Sequence, residues 1–367
     1  MIRINFTRII VLIIASVFMG CGNFILPEEF ENNVLGNYNA FWSEFDRYYG
    51  AMEAKHINWD SLNHVYGSRL SNSSSNKELF SALSGLLNEL NDGHASLYCN
   101  EFGTFKSSRK RYRSFFSDYS TCDPEYVIKM QRLIRTKYIR SDYQAEAING
   151  WLFFSGIILE NSHRIGYLLI PTFMNESFPI EYIKKAAKTF ANVESIILDL
   201  RFNGGGSTEP FVKTMNLFST ERKLFMKSKF RNGPSHRDFT PFFDHYTEPN
   251  SESVKNKPIV ILMNSFTGSS SEHFILGLKS QPNTTTVGDT SVGAFSAVVD
   301  RILPNGWHYR IGAQVIYKSN GELFTDSKGN YVEGIGIPPD YYVQDKLHSI
   351  ENAIDEPLKF AIDILSR

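Results

Sequence analysis

The stretch PIVILMNSFTGSSSEHFILGLK, residues 258–279, decides the fold because its hydrophobic pattern changes halfway along. Its first six residues are apolar and of strand length, which is typical of a strand covered on both faces of a sheet. A polar turn containing Gly268 follows, and a helical pattern begins near Ser270. A buried strand that leads through a short turn into a helix predicts an α/β layered domain.

Similar apolar runs recur through the second half of the chain, with helical stretches between them. Such an alternation favours a sheet with helices on both faces. The tail DEPLKFAIDIL, residues 355–365, begins with acidic residues and Pro357, so it predicts a closing helix. The other predicted strands are RIGYLLI (164–170), ESIILDL (194–200) and TTTVGD (284–289).

The first part of the chain has helical patterns instead. In SSSNKELFSALSGLLNEL, residues 73–90, Ser75 and Glu78 form a capping box and leucines recur on one helical face. Aromatic residues follow a helical spacing in NYNAFWSEFDRYYGAM, residues 37–52. We therefore expect a helical N-terminal module over residues 21–96, an irregular intervening segment over 97–164, and the α/β domain over 165–367.

The first twenty residues, MIRINFTRIIVLIIASVFMG, have the layout of a secretory signal. Two arginines precede an apolar stretch that is too short to span a membrane comfortably. The segment FMGC, residues 18–21, resembles a bacterial lipoprotein signal, in which the cysteine, here Cys21, becomes the lipidated N-terminus; a plain signal with an incidental cysteine is the alternative. We expect export to the bacterial cell envelope and anchoring, by several acyl chains, to a membrane on the outer-membrane or periplasmic side.

The charge balance excludes a strongly charged partner. Lys+Arg 38 against Asp+Glu 39 leaves a net charge of −1, so no nucleic-acid partner is expected. The basic run SSRKRYR, residues 107–113, is interpreted as a solvated face. Outside the cytoplasm, Cys99 and Cys122 could form a disulfide. Two cysteines alone do not make a metal site and no His/Cys spacing supports one, so no metal is expected. The oligomeric state is not indicated.

The serines of residues 264–274 have two interpretations. A serine at this corner lies at the end of a rigid strand, beside backbone N–H groups that have no helical acceptor. Such N–H groups can stabilise an oxyanion. Ser269, Ser270 or Ser271 could equally cap the helix, and the pattern by itself leaves both roles open.

A second predicted strand leads into a glycine run in SIILDLRFNGGGST, residues 195–208. Gly204, Gly205 and Gly206 allow the backbone to approach a substrate closely and to present N–H groups to it. A nucleotide cradle is a weaker interpretation, because no Lys-Ser/Thr follows and the pattern is not G-x-G-x-x-G.

Five motifs in order resemble those of the S41 serine peptidases, the family of the C-terminal processing proteases and the tricorn core protease. The resemblance spans about residues 35–367 and implies a ClpP/crotonase-like α/β catalytic domain preceded by the helical module. Residues 95–164 lack an evident carboxylate-binding loop, so no PDZ domain is expected. The motifs are LNELNDGHASL (87–97), ILDLRFNGGGST (197–208), NSFTGSSSEHF (264–274), VGDTSVGAFS (287–296) and VEGIGIPPDYYV (332–343).

The resemblance also implies roles for individual residues. The family's nucleophile lies three residues before the motif's glutamate, Glu272, which makes it Ser269. The C-terminal processing branch activates its serine with a lysine, but this chain has Ala294 at that position. The tricorn-like branch uses a histidine oriented by a glutamate, and these match His94 and Glu333.

Some alternatives stay open at this point. The lysine-using branch also carries DGH, so His94 could merely anchor a turn, and His273 is a rival base. Glu333 could be a surface acid. The tricorn serine just before the histidine is Gly93 here. For the oxyanion hole, the resemblance implies the N–H of Ser270 and that of Gly204 or Gly205.

The resemblance therefore implies an exported serine endopeptidase that acts on peptide or protein substrates and needs no cofactor. One alternative is a catalytically inactive protein on the same fold that binds peptides or hydrophobic ligands. Another is a crotonase-like enzyme acting on acyl thioesters, but export argues against it because acyl-CoA is a cytoplasmic metabolite.

Overall fold

The computed structural model describes residues 30–107 and 124–367. The secretory segment, Cys21, Cys122 and nearly all of the basic run lie outside these ranges, so the predictions for them stay predictions. Cys99 is buried, and because Cys122 lies outside the described residues the disulfide between them is likewise still a prediction. Among the described residues, no helix has both the length and the apolar character that a membrane span requires.

Helices form the first part of the described chain, as the pattern predicts. The third helix (Asn76–Leu90) begins with the predicted capping box, in which the Glu78 carboxylate accepts a hydrogen bond from the Ser75 N–H at 2.7 Å. It ends at Asn91, whose backbone is left-handed (φ 45°, ψ 55°), a conformation that asparagine tolerates well. These helices are α1 (Val34–Tyr48), α2 (Trp59–Tyr66) and α3 (Asn76–Leu90).

The remaining helices and the strands alternate along the rest of the chain. The helices are α4 (Pro124–Leu133), α5 (Ile180–Thr189), α6 (Thr208–Phe218), α7 (Ser270–Lys279), α8 (Leu347–Glu351) and α9 (Glu356–Leu365). The strands are β1 (Ser96–Cys99), β2 (Gly103–Lys106), β3 (Ile139–Ile148), β4 (Trp151–Glu160), β5 (His163–Leu169), β6 (Ser195–Asp199), β7 (Lys223–Phe230), β8 (Phe243–Thr247), β9 (Ile259–Met263), β10 (Thr284–Gly288), β11 (Val298–Ile302), β12 (His308–Gly312), β13 (Gln314–Lys318) and β14 (Tyr341–Tyr342).

Within the described ranges, the largest sheet has the strand order β14-β10-β9-β6-β5-β4-β3. Strands β14 to β5 are parallel, and β4 and β3 are antiparallel additions. All four apolar runs predicted as buried strands lie in the parallel part, which confirms the α/β prediction. Two antiparallel sheets, β11-β12-β1-β2 and β13-β7-β8, complete the fold.

The continuous apolar runs are explained by hydrophobic cores on both faces of the large sheet. Side chains alternate between the faces along a strand, so a strand covered on both sides needs apolar residues at every position. One core contains Ile196, Leu198, Ile259 and Ile261, and the other contains Ile197, Val260 and Leu262.

The prediction of an irregular segment over residues 97–164 is wrong for its described part. Helix α4 and strands β1 to β4 lie there, and β3 and β4 extend the large sheet, which therefore begins well before residue 165. Strand β3 is an edge strand with mostly exposed or half-exposed side chains and two register shifts. A solvated, irregularly paired edge strand has no long apolar run, so the hydrophobic pattern gives no strand signal.

Candidate active site

The glycine run and the serine turn meet at one edge of the large sheet. Strands β6 and β9 are parallel neighbours, so the loops that follow them leave from the same edge. The Gly268 N–H donates to the Asn203 carbonyl at 3.0 Å, and the Thr267 hydroxyl donates to the Leu200 carbonyl at 2.9 Å. The strand order therefore brings two of the predicted motifs into direct contact.

Ser269 has an unusual backbone conformation at the start of α7. Its φ of 56° and ψ of −124° lie in a region that residues with a side chain rarely adopt. Such local strain is concentrated at functional sites, where the surrounding structure imposes it. The Ser269 N–H donates to Glu272 Oε2 at 2.9 Å, which helps to hold this turn.

The two following serines have different environments. Ser270 is the first residue of α7, and its hydroxyl donates to the Gly206 carbonyl at 2.6 Å. Ser271 is fully buried, and its hydroxyl has no hydrogen-bond partner among the described residues. Of the three serines, Ser269 therefore combines the strained corner position with a place on the cavity described below.

The glycine run packs tightly against Ser269. A Cβ atom added to Gly205 would lie 2.6 Å from the Ser269 Cβ and 2.8 Å from the Ser270 nitrogen, and its φ is +98°. However, the Gly205 N–H already donates to Asn203 Oδ1 at 2.9 Å, so this structure favours Gly204 as the oxyanion donor, and the choice between the two glycines stays a prediction. The space around the Gly204 Cα is open.

A cavity of about 400 Å³ brings the predicted base and nucleophile together: His94, Ser269 and Ser270 all line it. Aromatic rings supply much of its apolar wall, among them Phe211 and Phe243. A larger groove of about 700 Å³ is lined mainly by lysine and glutamate side chains and shares no lining residue with this cavity. The smaller cavity is therefore the candidate active site.

His94 lies in the turn between α3 and β1. The Asp92 carboxylate shapes this turn, because its Oδ1 accepts the N–H of His94 at 2.7 Å and that of Ala95 at 3.3 Å. Burial lowers the pKa of His94, and Asp92 opposes that shift. The imidazole is therefore neutral at pH 7, which is the form that can accept a proton.

Glu333 is not a surface acid, because only 1% of the residue is exposed. Its Oε2 accepts the N–H groups of Phe295 and Ser296, each at 3.0 Å. One ring nitrogen of His94 and one carboxylate oxygen each of Asp92 and Glu333 lie within 4.8 Å of one another. Burial, with a further contribution from Asp92, raises the pKa of Glu333 well above its ordinary value.

Residues 291–296 connect the serine turn to the histidine. Glu272 Oε1 accepts the Ser291 hydroxyl at 2.5 Å and the Gly293 N–H at 2.7 Å, while its Oε2 accepts the Ala294 N–H at 2.8 Å. The sequence marks Glu272 only as a helix-capping residue, three positions after Ser269. Its contacts with residues 291–294 depend on long-range folding and were missed.

Gly93 and Ala294, the two residues that depart from the family pattern, lie next to each other. A Cβ added to Gly93 would lie 2.9 Å from the Ala294 Cβ, which is closer than side-chain atoms normally approach. A serine at position 93 and a long side chain at position 294 would therefore compete for the same space. Gly93 and Ala294 are mutually consistent replacements.

Two further histidines line the cavity. His273 lies between the rings of Phe211 and Phe295, at centroid distances of 5.9 and 6.2 Å, and burial lowers its pKa to about 3. His245 also lines the cavity, and its Nε2 is 2.9 Å from the Ser228 hydroxyl. His273 is thus near the site as a neutral imidazole, whereas no sequence motif points to His245.

Lys55 lies beside the cluster of Asp92, His94 and Glu333. Its ammonium donates to the carbonyl of Asn91 at 3.0 Å and to that of Glu333 at 2.9 Å. The spacing of the two carboxylates and the imidazole would suit a metal ion, but the neighbouring half-buried ammonium of Lys55 disfavours a divalent cation. We therefore interpret the cluster in terms of protons. The sequence patterns did not predict that Lys55 and Asp92 belong to the site.

Comparison with known proteins gives a consistent result at the level of the family. The family model described as "Peptidase family S41" matches residues 164–343. The chain is 26% identical over 201 residues to the carboxy-terminal processing protease CtpB of Bacillus subtilis, which covers 54% of this chain and 38% of that protein. It is 25% identical over 206 residues to the tricorn protease of Thermoplasma volcanium, covering 55% and 17% respectively. The matches thus span two fifths or less of these relatives.

Solved structures show a similar fold. A crystal structure of a Parabacteroides merdae protein matches with a TM-score of 0.72 and 23% identity, covering 91% of this chain and 97% of that one. Mature CPAF matches with a TM-score of 0.65 and 11% identity, covering 91% and 96%. At such low identity, these likenesses concern the fold alone.

Proposed function

This chain belongs to peptidase family S41 through residues 164–343, and on that premise we propose that it is a serine endopeptidase with Ser269, His94 and Glu333 as its catalytic triad. The observation that carries the proposal is the cavity that Ser269 shares with His94, since Ser269 occupies a strained strand-to-helix corner. An activated serine nucleophile requires a base close to its hydroxyl.

In the proposed reaction, Ser269 Oγ attacks the carbonyl carbon of the scissile peptide bond while His94 takes the hydroxyl proton. The tetrahedral intermediate carries its negative charge on the former carbonyl oxygen, and the N–H groups of Gly204 and Ser270 bind that oxygen. His94 then donates the proton to the leaving amine, and a water molecule releases the acyl group by the same steps in reverse.

Glu333 orients the imidazole in this proposal. Its Oε2 is held by two backbone N–H groups, whereas its Oε1 is buried without a hydrogen bond within the described residues. The Nδ1 of His94 is also buried and unpaired there. A bond between these two groups would satisfy both atoms and hold one tautomer of the ring.

The lipoprotein-like segment at residues 18–21 supports a second part of the proposal. We infer that the protein is exported and that Cys21 is lipidated, so that the active site faces peptide or protein substrates in the cell envelope. Neither a cofactor nor a nucleic-acid partner enters the proposed reaction.

Labelling with a fluorophosphonate probe tests the peptidase proposal. We expect covalent labelling of the intact protein that is lost in Ser269→Ala, because the probe reacts with an activated serine. Ser271→Ala is the matched control: its hydroxyl is buried and unpaired two residues further on, so its labelling should equal that of the wild type.

A folded wild-type protein that is not labelled would contradict the peptidase proposal and favour the inactive binding protein. Labelling that persists in Ser269→Ala would show that another residue is the nucleophile.

A further inference from the structure

The surroundings of His94 contain two buried polar atoms without hydrogen bonds in the described part of the chain, His94 Nδ1 and Glu333 Oε1. Asp92 Oδ2 and the Tyr49 hydroxyl are also buried there, and these two groups face each other. Asp92 is 0% exposed and Glu333 is 1% exposed, so water does not compensate them from outside. A buried polar atom that lacks a partner is destabilising, and such atoms beside two buried carboxyl groups indicate an unassigned proton or ligand.

The two carboxyl groups cannot both be ionised cheaply. They are buried and close together, and like charges in such a site push one of the two pKa values strongly upward. The upward shift of the Glu333 pKa, caused first by burial and then by Asp92, is in the same direction.

The charged and titratable groups around the pair determine how much negative charge it carries. Lys55 is the cation facing both carboxyl groups, and although burial lowers its pKa, the carboxyl groups oppose that shift. The phenols of Tyr49 and Tyr331 also face them, and burial raises both of their pKa values, so they stay neutral. One ammonium opposite two carboxyl groups favours a pair with one negative charge.

Other charged groups lie at the edges of this cluster. Glu272 faces Glu333 from α7 and adds to the upward shift of the Glu333 pKa. Arg310 and Lys106 face His94 and lower its pKa. Among the largest influences on the Glu333 pKa, Lys55 is the only cation, so it is the principal counter-charge of Glu333.

We propose that Asp92 is a second positioning residue for His94, and that Asp92 and Glu333 hold a single proton between them. This inference rests on the proposed peptidase function. When His94 takes the proton of Ser269, the single negative charge of the pair stabilises the imidazolium, and the shared proton stays between the two carboxyl groups. Either group can become the ionised one.

Amide variants test this pair because they keep the size of each side chain. Asn at position 92 retains an oxygen to accept the His94 and Ala95 N–H groups, and Gln at position 333 retains one for Phe295 and Ser296. In each single variant one carboxyl group remains opposite the ammonium of Lys55, so one orienting carboxylate is still present.

The expected result is a strongly non-additive pattern in the rate constant for fluorophosphonate labelling. Asp92→Asn and Glu333→Gln should each stay within about tenfold of the wild type. The double variant should lose about 10³–10⁴-fold, as when a triad's only orienting carboxylate becomes an amide. Asp340→Asn, which alters a carboxylate that accepts hydrogen bonds from Thr286 and Lys279 and does not line the cavity, is the control and should leave the rate unchanged.

The infrared band of a protonated carboxyl group provides a second measurement that does not need the double variant to fold. Difference spectra at pH 7 should show one such band in the wild type that is absent from both single variants. Its persistence in Asp92→Asn would mean that Glu333 is simply neutral, and its absence from the wild type would mean that both groups are ionised.

Several outcomes would overturn the inference. A single variant that stays folded but is as slow as the double variant would show that this carboxylate acts alone. A folded double variant within tenfold of the wild type would show that neither group orients His94. A wild type without labelling at Ser269 would instead contradict the peptidase function, so the two failures can be told apart.

Discussion

Gly205 permits the close approach of the glycine run to Ser269. No side chain fits there, because even a Cβ would come within 2.8 Å of the Ser269 Cβ and the Ser270 nitrogen. Its φ of +98° is also unfavourable for any residue with a side chain. The neighbouring Gly204 has no such constraint, since nothing lies within 4 Å of a Cβ added to it.

Gly205→Ala is therefore expected to slow fluorophosphonate labelling by about 10²–10³-fold, the typical effect of losing one oxyanion donor. The added methyl group must displace the turn that carries Ser269 and the Ser270 N–H. Gly204→Ala is the matched control and should have a much smaller effect. The comparison requires rate constants and unfolding midpoints for both variants, and equal rates would contradict the proposed packing role of Gly205.

The residues of the candidate site differ in how well the sequence alone could predict them. Ser269 and His94 stand in short motifs, so a resemblance to a known family identifies them. Asp92 lies in the same motif as His94, but the motif does not indicate that its carboxylate is buried beside Glu333. Lys55 has no such signal, because a lysine in a polar segment is normally solvent-exposed. The importance of both residues follows from their surroundings in the folded chain, which the residue type alone does not predict.

At the scale of elements, a buried ionic network joins the end of β6 to the C-terminal helices. Arg201 is 1% exposed and follows β6 directly. Its guanidinium lies 2.6 Å from Asp199, 2.9 Å from Asp345 and 2.8 Å from Asp355. The Asp355 side chain also caps α9. The network therefore links the loop after β6, which contains the glycine run, to the C-terminal helix α9.

Three carboxyl groups around one cation leave an excess of negative charge. Burial raises the pKa of Asp345 to about 6, above its ordinary value of roughly 3.9, while Arg201 opposes the shift. In the folded state the Asp345 carboxyl group therefore keeps its proton over a pH range in which the same group of the unfolded chain is already ionised. Its stabilising contribution is full below about pH 4 and is lost as the pH rises through about 6.

Asp345→Asn should therefore flatten the dependence of stability on pH. Asparagine keeps an oxygen for the Arg201 hydrogen bond but cannot ionise, so the variant should gain stability relative to the wild type between pH 4 and pH 7. Urea midpoints at several pH values measure this difference. A difference between the two proteins that stays constant over the range would contradict the assignment to Asp345.

Strands could be predicted from the sequence where a single hydrophobic pattern runs along the whole strand. Strands β5, β6, β9 and β10 are apolar along their whole length because both of their faces are covered. Strand β3 was missed, since an irregularly paired and largely exposed edge strand does not require a simple alternation. Strand β4 lies between β3 and β5 with six consecutive buried residues, so its apolar run could have indicated it. Local patterns report the environment of a segment only when that environment is uniform.

At the scale of the whole molecule, the N-terminal helices share a core with the catalytic region. The ring of Phe41 on α1 lies 5.2 Å from that of Tyr309 on β12, and Phe45 lies 6.1 Å from it. Both phenylalanines belong to the same hydrophobic cluster as Leu198 and Ile261 of the large sheet. This shared core positions the turn that carries His94 relative to the sheet edge that carries Ser269.

The inferred anchor gives a prediction for the complete chain. Cys21→Ala should move the protein from the membrane fraction to the soluble fraction, because the acyl chains supply the membrane affinity. Labelling at Ser269 should persist, since Cys21 precedes the described domain. Cys99→Ala is the control and should stay in the membrane fraction, and a wild-type protein found only in the soluble fraction would contradict the anchor.

The sequence by itself determined the buried strands, the helix caps and the position of the proposed nucleophile in its motif, because each depends on residues that are neighbours along the chain. Only the tertiary structure decided that Lys55, the turn carrying Asp92 and His94, and Glu333 form one cluster, since these three segments are distant in sequence and meet through packing. Burial in that cluster then sets the charge of each group, because desolvation and neighbouring charges shift a pKa in ways that residue identity does not reveal.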